Sequence, residues 1–241
     1  MNILNNINII LQRIESACTR CGRESKEVRL LLATKTVSAE SIKIAFDAGQ
    51  RLIGENKVQE IVQKYDDLRK TQHETHFIGH LQTNKIKEIL KYDVSCIQTI
   101  DSIRLANKLQ DRLEYEDKEI DILIQVNTTN EDTKFGVSPD GLIELIKHIS
   151  LLDRIHIKGL MTIGLFSSDT VKVRSCYRLL KQLQQKVIEK NIPNVEMREL
   201  SMGMSDHLEI AIEEGATMVR VGTAIFGDRI YPDSYYWDEG R

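Results

Sequence analysis

Two hydrophobic patterns alternate along the chain. Short runs rich in branched apolar residues are typical of buried β-strands, whereas longer stretches with an apolar residue every three or four positions are typical of amphipathic helices. The predicted strands cover residues 28–35, 51–54, 76–81, 94–100, 120–127, 156–163, 197–202 and 218–222. The predicted helices between them cover residues 39–48, 57–69, 84–91, 102–115, 139–149, 171–190 and 206–214. A further amphipathic helix is predicted over residues 1–21, with Ile3, Ile7, Ile10, Leu11, Ile14 and Cys18 on its apolar face.

This order of elements indicates a parallel sheet, because neighbouring parallel strands need a crossover connection, which is usually a helix. Eight strands in 241 residues match the number and size of a single (β/α)8 TIM-type barrel. Alternation alone does not show that the sheet closes, so an open doubly wound sheet is the alternative. Because no linker rich in Gly, Pro or Ser divides the chain, we expect one domain over residues 1–241, with an N-terminal helix and a short C-terminal tail.

The composition is that of an ordinary globular protein, with 41% hydrophobic and 29% charged residues. The net charge is −3, so we expect neither nucleic acid nor a membrane surface as a main partner. No apolar run reaches the roughly 18 residues of a membrane span, and the N-terminal stretch lacks the apolar core of a signal peptide. Cys18 and Cys21 lack the second pair that a zinc ribbon needs. We therefore expect reduced thiols, no metal site and a cytoplasmic location.

The first predicted strand ends in a lysine. Proteins with a (β/α)8 barrel carry their sites at the carboxyl ends of the strands. Lys35 has the same parity as Leu31 and Ala33, so it shares their face of the strand. If that face lines the barrel, apolar surroundings favour the neutral amine, which is a nucleophile for carbonyl compounds. The alternative is a solvated lysine at a strand end.

Small and hydroxyl-bearing residues end the last two strands. Gly222 and Thr223 follow the final apolar run, where backbone N–H groups and a hydroxyl can bind a phosphate. Arg220 lies between two valines in this run and points inward if those valines pack against helices. Ser201 ends the seventh strand beside this turn. The alternative for these residues is a tight barrel turn with a structural arginine.

Other polar residues near strand ends are less specific. Asn56 follows the second strand and is a candidate for capping the next helix or for lining a site. His76 and His80 share a parity, but no carboxylate lies at metal-ligand spacing, so hydrogen-bonding or solvated roles are expected. Lys134, in the loop after the fifth strand, is expected to be solvated. The GxGxxG, GxxxxGK[ST] and GxSxG motifs are absent, which argues against Rossmann hydride transfer, P-loop phosphoryl transfer and serine hydrolysis.

Five motifs occur in a familiar order. They are ATKT at 33–36, GENKVQE at 54–60, HFIGHLQTNK at 76–85, LSMGMSD at 200–206 and RVGTAIFG at 220–227. Together they closely resemble the pyridoxal phosphate homeostasis protein family, single-domain relatives of the alanine racemase barrel. The resemblance implies that Lys35 binds pyridoxal 5'-phosphate (PLP) as a Schiff base and that Arg220 faces the pyridine nitrogen. It further implies that Ser201, Gly222 and Thr223 hold the phosphate. Asn56 would line the cofactor.

The function implied by this resemblance is PLP homeostasis: storage, buffering or delivery of the cofactor to apo forms of PLP enzymes, with little or no turnover. An arginine at the pyridine nitrogen disfavours its protonation and so weakens the ring as an electron sink. We also expect too little chain after the last motif for the second domain that related racemases use, and we expect a monomer. Two alternatives remain open: a PLP-dependent amino-acid racemase, and an aldolase that forms a Schiff base between Lys35 and a sugar phosphate without a cofactor.

Overall fold

The computed structural model is a closed barrel in which eight parallel strands follow their sequence order and β8 pairs with β1. The structure describes residues 2–129, 131 and 134–227. The strands are β1 (Arg29–Ala33), β2 (Leu52–Glu55), β3 (Glu74–Phe77), β4 (Val94–Ile100), β5 (Ile120–Gln125), β6 (Ile155–Met161), β7 (Val195–Ser201) and β8 (Met218–Val221). The predicted single (β/α)8 barrel is confirmed, and the open sheet is wrong because the first and last strands are hydrogen-bonded to each other.

Helices alternate with the strands and form the outer layer. Within the described ranges they are α1 (Ile3–Arg20), α2 (Ala39–Asp47), α3 (Val58–Leu68), α4 (Ile86–Ile89), α5 (Ile103–Glu116), α6 (Leu142–Ile149), α7 (Thr170–Lys190), α8 (Leu208–Glu213) and α9 (Thr223–Phe226). Two short 3₁₀ helices, Ser25–Glu27 and Thr83–Lys85, precede β1 and α4. None of the described helices is long and apolar enough to cross a membrane.

The observed elements differ from the predicted ones mainly at their ends. β1 stops at Ala33 rather than Lys35, because the chain turns there and Val37 N donates to Thr34 O at 2.9 Å. β3 stops at Phe77 rather than at residue 81. α9 was not predicted, because a four-residue helix is too short to show a helical period. The C-terminal tail expected after the last motif lies outside the described residues.

The apolar residues form an outer layer between strands and helices and a smaller filling inside the barrel. Leu30 and Leu32 belong to the outer layer, whereas Leu31 packs with Leu52 and Met218 in a separate cluster. Cys96, Leu123 and Met161 form a third cluster. The alternation along β1 therefore directs the Leu31 face inward, which is the condition on which the interpretation of Lys35 depended.

The N-terminal helix α1 packs against the segments that follow β7 and β8. Its buried residues are Ile7, Ile10, Ile14, Ala17 and Cys18, while Leu11, predicted for the same face, is 38% exposed. Arg13 Nη2 donates to the carbonyl oxygen of Ser205 at 2.8 Å, and Arg13 also pairs with Glu209. Asn6 Nδ2 donates to the carbonyl oxygen of Ile225 at 2.9 Å. These contacts fix the segments that follow β7 and β8.

Candidate functional site

Lys35 lies two residues beyond β1, at the carboxyl end of the barrel, and is half-buried. The register of β1 and β8 places Leu31 opposite Arg220. Just beyond these pairs the two chain segments touch, since a Cβ built on Gly222 would lie 2.9 Å from the carbonyl oxygen of Ala33. A side chain at position 222 would therefore push β8 away from β1. Barrel closure thus brings the segments that carry Lys35 and Gly222 together at the mouth.

Arg220 is a buried cation. As predicted, its side chain points into the barrel, and the residue is 5% exposed. Nη1 donates to the hydroxyl of Ser201 and Nη2 to the carbonyl oxygen of Thr162, each at 2.8 Å. Burial lowers the pKa of Arg220 to about 10, and no carboxylate of the described residues acts on it. A buried charge without a counter-ion is costly, so this position favours an electron-rich partner.

Ser201 connects Arg220 to a chain of buried polar side chains. Its hydroxyl donates to Gln98 Oε1 at 2.6 Å, and Gln98 Nε2 lies 2.8 Å from His76 Nδ1. His76 Nε2 lies 3.7 Å from a carboxylate oxygen of Glu74. This arrangement makes Nδ1 the acceptor and places the ring proton on Nε2. The neighbouring His76 ring, together with Arg29, whose Nη2 donates to Glu74 Oε2 at 2.6 Å, lowers the pKa of Glu74 to about 2. A carboxylate therefore ends this series of polar side chains at the opposite end of the barrel.

Ser201 lies deeper in the barrel than Gly222 and Thr223. Ser201 pairs with Met218, the first residue of β8, whereas Gly222 follows the last residue of that strand. The Ser201 hydroxyl is completely buried and already engaged both as a donor and as an acceptor. The structure therefore groups Ser201 with Arg220, and it does not bring this hydroxyl to the level of Gly222 and Thr223. Strand register, which the sequence does not reveal, sets this depth.

Gly222 and Thr223 lie at the mouth, as predicted. Gly222 precedes α9, and Thr223 is the exposed first residue of that helix. The first N–H groups of a helix have no partner inside the helix, so backbone donors follow the end of β8. Because β8 adjoins β1, these donors and the Thr223 hydroxyl lie on the same side of the barrel as the segment that carries Lys35.

Three buried side-chain atoms near the ends of β2 and β3 lack a hydrogen-bond partner among the described residues: Glu55 Oε2, Asn56 Oδ1 and His80 Nδ1. Asn56 does not cap α3, because Lys57 occupies that position without a side-chain capping bond. Gly79 packs on Asn56 so closely that a Cβ on it would lie 1.9 Å from the Asn56 carbonyl oxygen. His80 stacks on Phe135 with ring centroids 3.9 Å apart. Buried polar atoms without partners are costly, so these positions favour a polar partner.

Sequence reasoning missed Gln98 and Thr162, the residues that complete the surroundings of Arg220 and Ser201. Gln98 is a polar residue inside the apolar strand β4, and that mismatch was the available signal. Lys134 lies near Glu131, with 3.0 Å between the charged atoms, and is partly exposed. Cys18, Cys21, Cys96 and Cys176 are all free. Among the described residues no group of three metal-ligating side chains occurs.

A closed barrel with an amine at the end of β1 and a buried arginine in β8 has the architecture of the alanine racemase class. Residues 8–230 match the family described as alanine racemase, N-terminal domain. The pyridoxal phosphate homeostasis protein of Aquifex aeolicus is 41% identical over 231 residues, covering 96% of this chain and 100% of the relative. That of Haemophilus influenzae is 37% identical over 236 residues, with 97% and 99% coverage. The chain belongs to the pyridoxal phosphate homeostasis protein family, as its motifs predicted.

Solved structures show the same architecture. An unknown protein from Bifidobacterium adolescentis has a TM-score of 0.88 and 38% identity, covering 93% of this chain and 94% of that chain. PipY of Synechococcus elongatus with PLP bound has a TM-score of 0.78 and 29% identity, covering 90% and 100%. An alanine racemase from Clostridium difficile, at 13% identity and a TM-score of 0.74, covers 95% of this chain and 57% of its own. That last likeness concerns the fold alone.

Proposed function

We propose that this protein binds PLP through Lys35 and serves PLP homeostasis by storing, buffering or delivering the cofactor, with little or no turnover. The observation that carries the proposal is barrel closure, which brings the Lys35 segment beside Gly222 with the buried Arg220 in the adjoining strand. The close relatives are named pyridoxal phosphate homeostasis proteins, and PipY has been solved with PLP bound.

The residues at the mouth fit the groups of PLP. PLP supplies an aldehyde, which condenses with a lysine amine with loss of water. Lys35 is the amine, and backbone N–H groups at Gly222 and Thr223, with the Thr223 hydroxyl, are the donors for the phosphate. Arg220 is the partner for the pyridine nitrogen, and Ser201 holds its guanidinium instead of contacting the phosphate. Asn56, whose Oδ1 has no partner among the described residues, lines the bound ring.

The surroundings of Arg220 weaken carbanion chemistry without forbidding it, which supports a protein with little turnover. A carboxylate at the pyridine nitrogen would keep that nitrogen protonated and make the ring a strong electron sink. Here the nitrogen would face a guanidinium, which remains charged at neutral pH because its pKa is lowered only to about 10. The hydrogen bonds to Ser201 and Thr162 fix this donor, so the carbanion that racemisation requires is poorly stabilised.

The test compares transfer with turnover in one preparation. Protein loaded with PLP is mixed with an apo PLP enzyme, and the recovery of that enzyme's activity is followed. In parallel, single enantiomers of alanine, serine, glutamate and lysine are incubated with the protein, and their chirality is followed over hours. We expect transfer without appreciable racemisation. Racemisation that depends on Lys35, with turnover above roughly 1 s⁻¹, the low end of ordinary enzyme rates, would establish the racemase instead. A colourless protein that cleaves sugar phosphates through Lys35 would establish the aldolase.

We further propose that residues 1–241 act as one domain and as a monomer in the cytoplasm, with apo PLP enzymes as recipients. In the described residues the barrel and the helices around it form one continuous outer core, and α1 is part of it. The four free cysteines agree with a reducing compartment. Light scattering of the PLP-loaded protein measures the oligomeric state, for which a mass of 27.7 kDa is expected.

A further inference from the structure

Both peptide groups of Lys35 are held by side chains of one helix. The ammonium of Lys64 in α3 donates to the carbonyl oxygen of Thr34 at 2.8 Å. On the other side of Lys35, the backbone N–H of Thr36 donates to Glu60 Oε2 at 2.7 Å. Lys64 and Glu60 are one helical turn apart and pair at 3.0 Å. The Glu60–Lys64 ion pair therefore holds the two peptide groups that flank Lys35. Lys64 binds the one before it, and Glu60 binds the one after it.

The turn that this ion pair holds is strained. Thr36 has a φ of 65°, in the left-handed region that a β-branched residue rarely adopts. A strained residue persists only where the surrounding contacts enforce it, and such residues concentrate at functional sites. The N–H of Thr36 is the group that Glu60 accepts from, so the contact and the strain occur at the same peptide.

A second carboxylic acid completes the cluster. Glu55, the last residue of β2, is 1% exposed, and its Oε1 accepts from the Thr34 hydroxyl at 2.6 Å and from Lys64 at 2.9 Å. Its other oxygen has no partner among the described residues. Burial, together with the neighbouring Glu60, raises the pKa of Glu55, against the effect of Lys64. Glu55, Glu60 and Lys64 add little stability compared with apolar side chains of similar volume. Their presence at this turn therefore indicates a role other than stability.

We propose that Glu55, Glu60 and Lys64 form a positioning cluster that fixes the direction in which the Lys35 side chain leaves the barrel wall. The inference rests on the proposed function, in which Lys35 carries the cofactor. The three residues do not touch the ligand. They act through the peptides on either side of Lys35, whose long side chain amplifies any rotation of its backbone into a displacement of the amine.

The cluster is tested with variants of Glu60. Glu60→Leu removes the acceptor for the Thr36 N–H and the partner of Lys64, whereas Glu60→Gln retains an acceptor oxygen. Asp67→Ala, on the same helix, removes an exposed pair with Lys43 and serves as the matched control. In Glu60→Leu we expect the rate of PLP binding to fall by about tenfold or more, since misplacement by roughly 1 Å can cost about a hundredfold. Glu60→Gln and Asp67→Ala should bind close to the wild-type rate.

A readout without PLP separates this inference from the proposed function. Amine labelling of ligand-free protein, followed at Lys35 by mass spectrometry from pH 6 to pH 10, reports the surroundings of that one amine. We expect the labelling profile of Lys35 to move in Glu60→Leu and to return in Glu60→Gln, whether or not PLP binds there. A folded Glu60→Leu protein with an unchanged Lys35 profile would overturn the cluster's role even if wild-type protein binds PLP at Lys35.

If Glu60→Leu does not fold, hydrogen exchange of the wild-type protein gives the answer. The Thr36 N–H lies in a turn, yet its bond to buried Glu60 predicts protection close to that of the N–H groups in β1. Exchange of the Thr36 N–H at the rate of an open loop would show that the cluster does not hold the turn, and would overturn the proposal.

Discussion

Glu55 is a buried carboxyl group whose surroundings oppose its ionisation. Burial is the main cause, and it raises the pKa of Glu55 from 4.5 to about 7, with the nearby Glu60 acting in the same direction. The folded protein therefore binds this proton more tightly than the unfolded chain does. This tighter proton binding contributes to the free energy of unfolding. The contribution is fully present below about pH 4.5 and is lost as the pH rises through about 7.

This sign gives a prediction for Glu55→Gln, which cannot titrate at this position. The free energy of unfolding of wild-type protein should fall relative to that of the variant as the pH rises from about 5 to about 7. Urea unfolding of both proteins at several pH values measures the difference, and exposed Asp67, changed to Asn, is the control. A difference that stays constant with pH would show that Glu55 does not titrate in this range.

Arg220 and Ser201 show which features of the site can be predicted from the local sequence and which cannot. The parity of Arg220 between two valines predicted an inward side chain, because alternation along a strand is a local property. The contact of Ser201 depends on its register with Met218 and on Gln98 from across the barrel. Neither is visible in the local sequence, so the phosphate contact predicted for Ser201 could not take account of its depth in the barrel.

At the scale of elements, strand ends and the turns after them define the site. The sequence predicted all eight strands, but it extended β1 to Lys35, because nothing in the pattern signals the left-handed Thr36. The side chains that hold this turn come from α3, in the next unit of the barrel. The capping role considered for Asn56 is wrong, since Lys57 takes that position.

The junction of β1 and β8 gives a second prediction, which concerns phosphate binding. Charge-assisted hydrogen bonds are worth roughly 1.5–3 kcal/mol each, so wild-type protein should bind PLP far more tightly than pyridoxal. Gly222→Ala places a Cβ 2.9 Å from the carbonyl oxygen of Ala33 and displaces the backbone that would hold the phosphate. The ratio of the two affinities should therefore shrink in this variant, as equilibrium titrations with both ligands would measure.

Gly49→Ala is the control for this prediction. Gly49 has a φ of 84° at the end of α2, so alanine there should cost stability without touching the junction of β1 and β8. A PLP-to-pyridoxal affinity ratio that is the same in Gly222→Ala and in wild-type protein would show that the phosphate binds elsewhere.

For the whole molecule, closure of the barrel is the property that creates the site. Alternating strands and helices predicted the fold class, and the motifs at the strand ends predicted the family. The pairing of β8 with β1 then unites residues from the two ends of the sequence. What the sequence could not provide is the chain of polar side chains from Glu74 to Arg220, because it is assembled from strands that pair at particular registers across the barrel.

The central claim is that Lys35 is the residue that carries PLP, and its most direct test is to locate the ligand on the chain. Wild-type protein, Lys35→Ala and Lys134→Ala are incubated with PLP, reduced with borohydride and digested, and the modified lysine is identified by mass spectrometry. The account predicts a single main adduct on Lys35 in wild-type protein and in Lys134→Ala, and its loss in Lys35→Ala. An adduct that maps to Lys134 or another lysine, or an equal yield of adduct in Lys35→Ala, would contradict it.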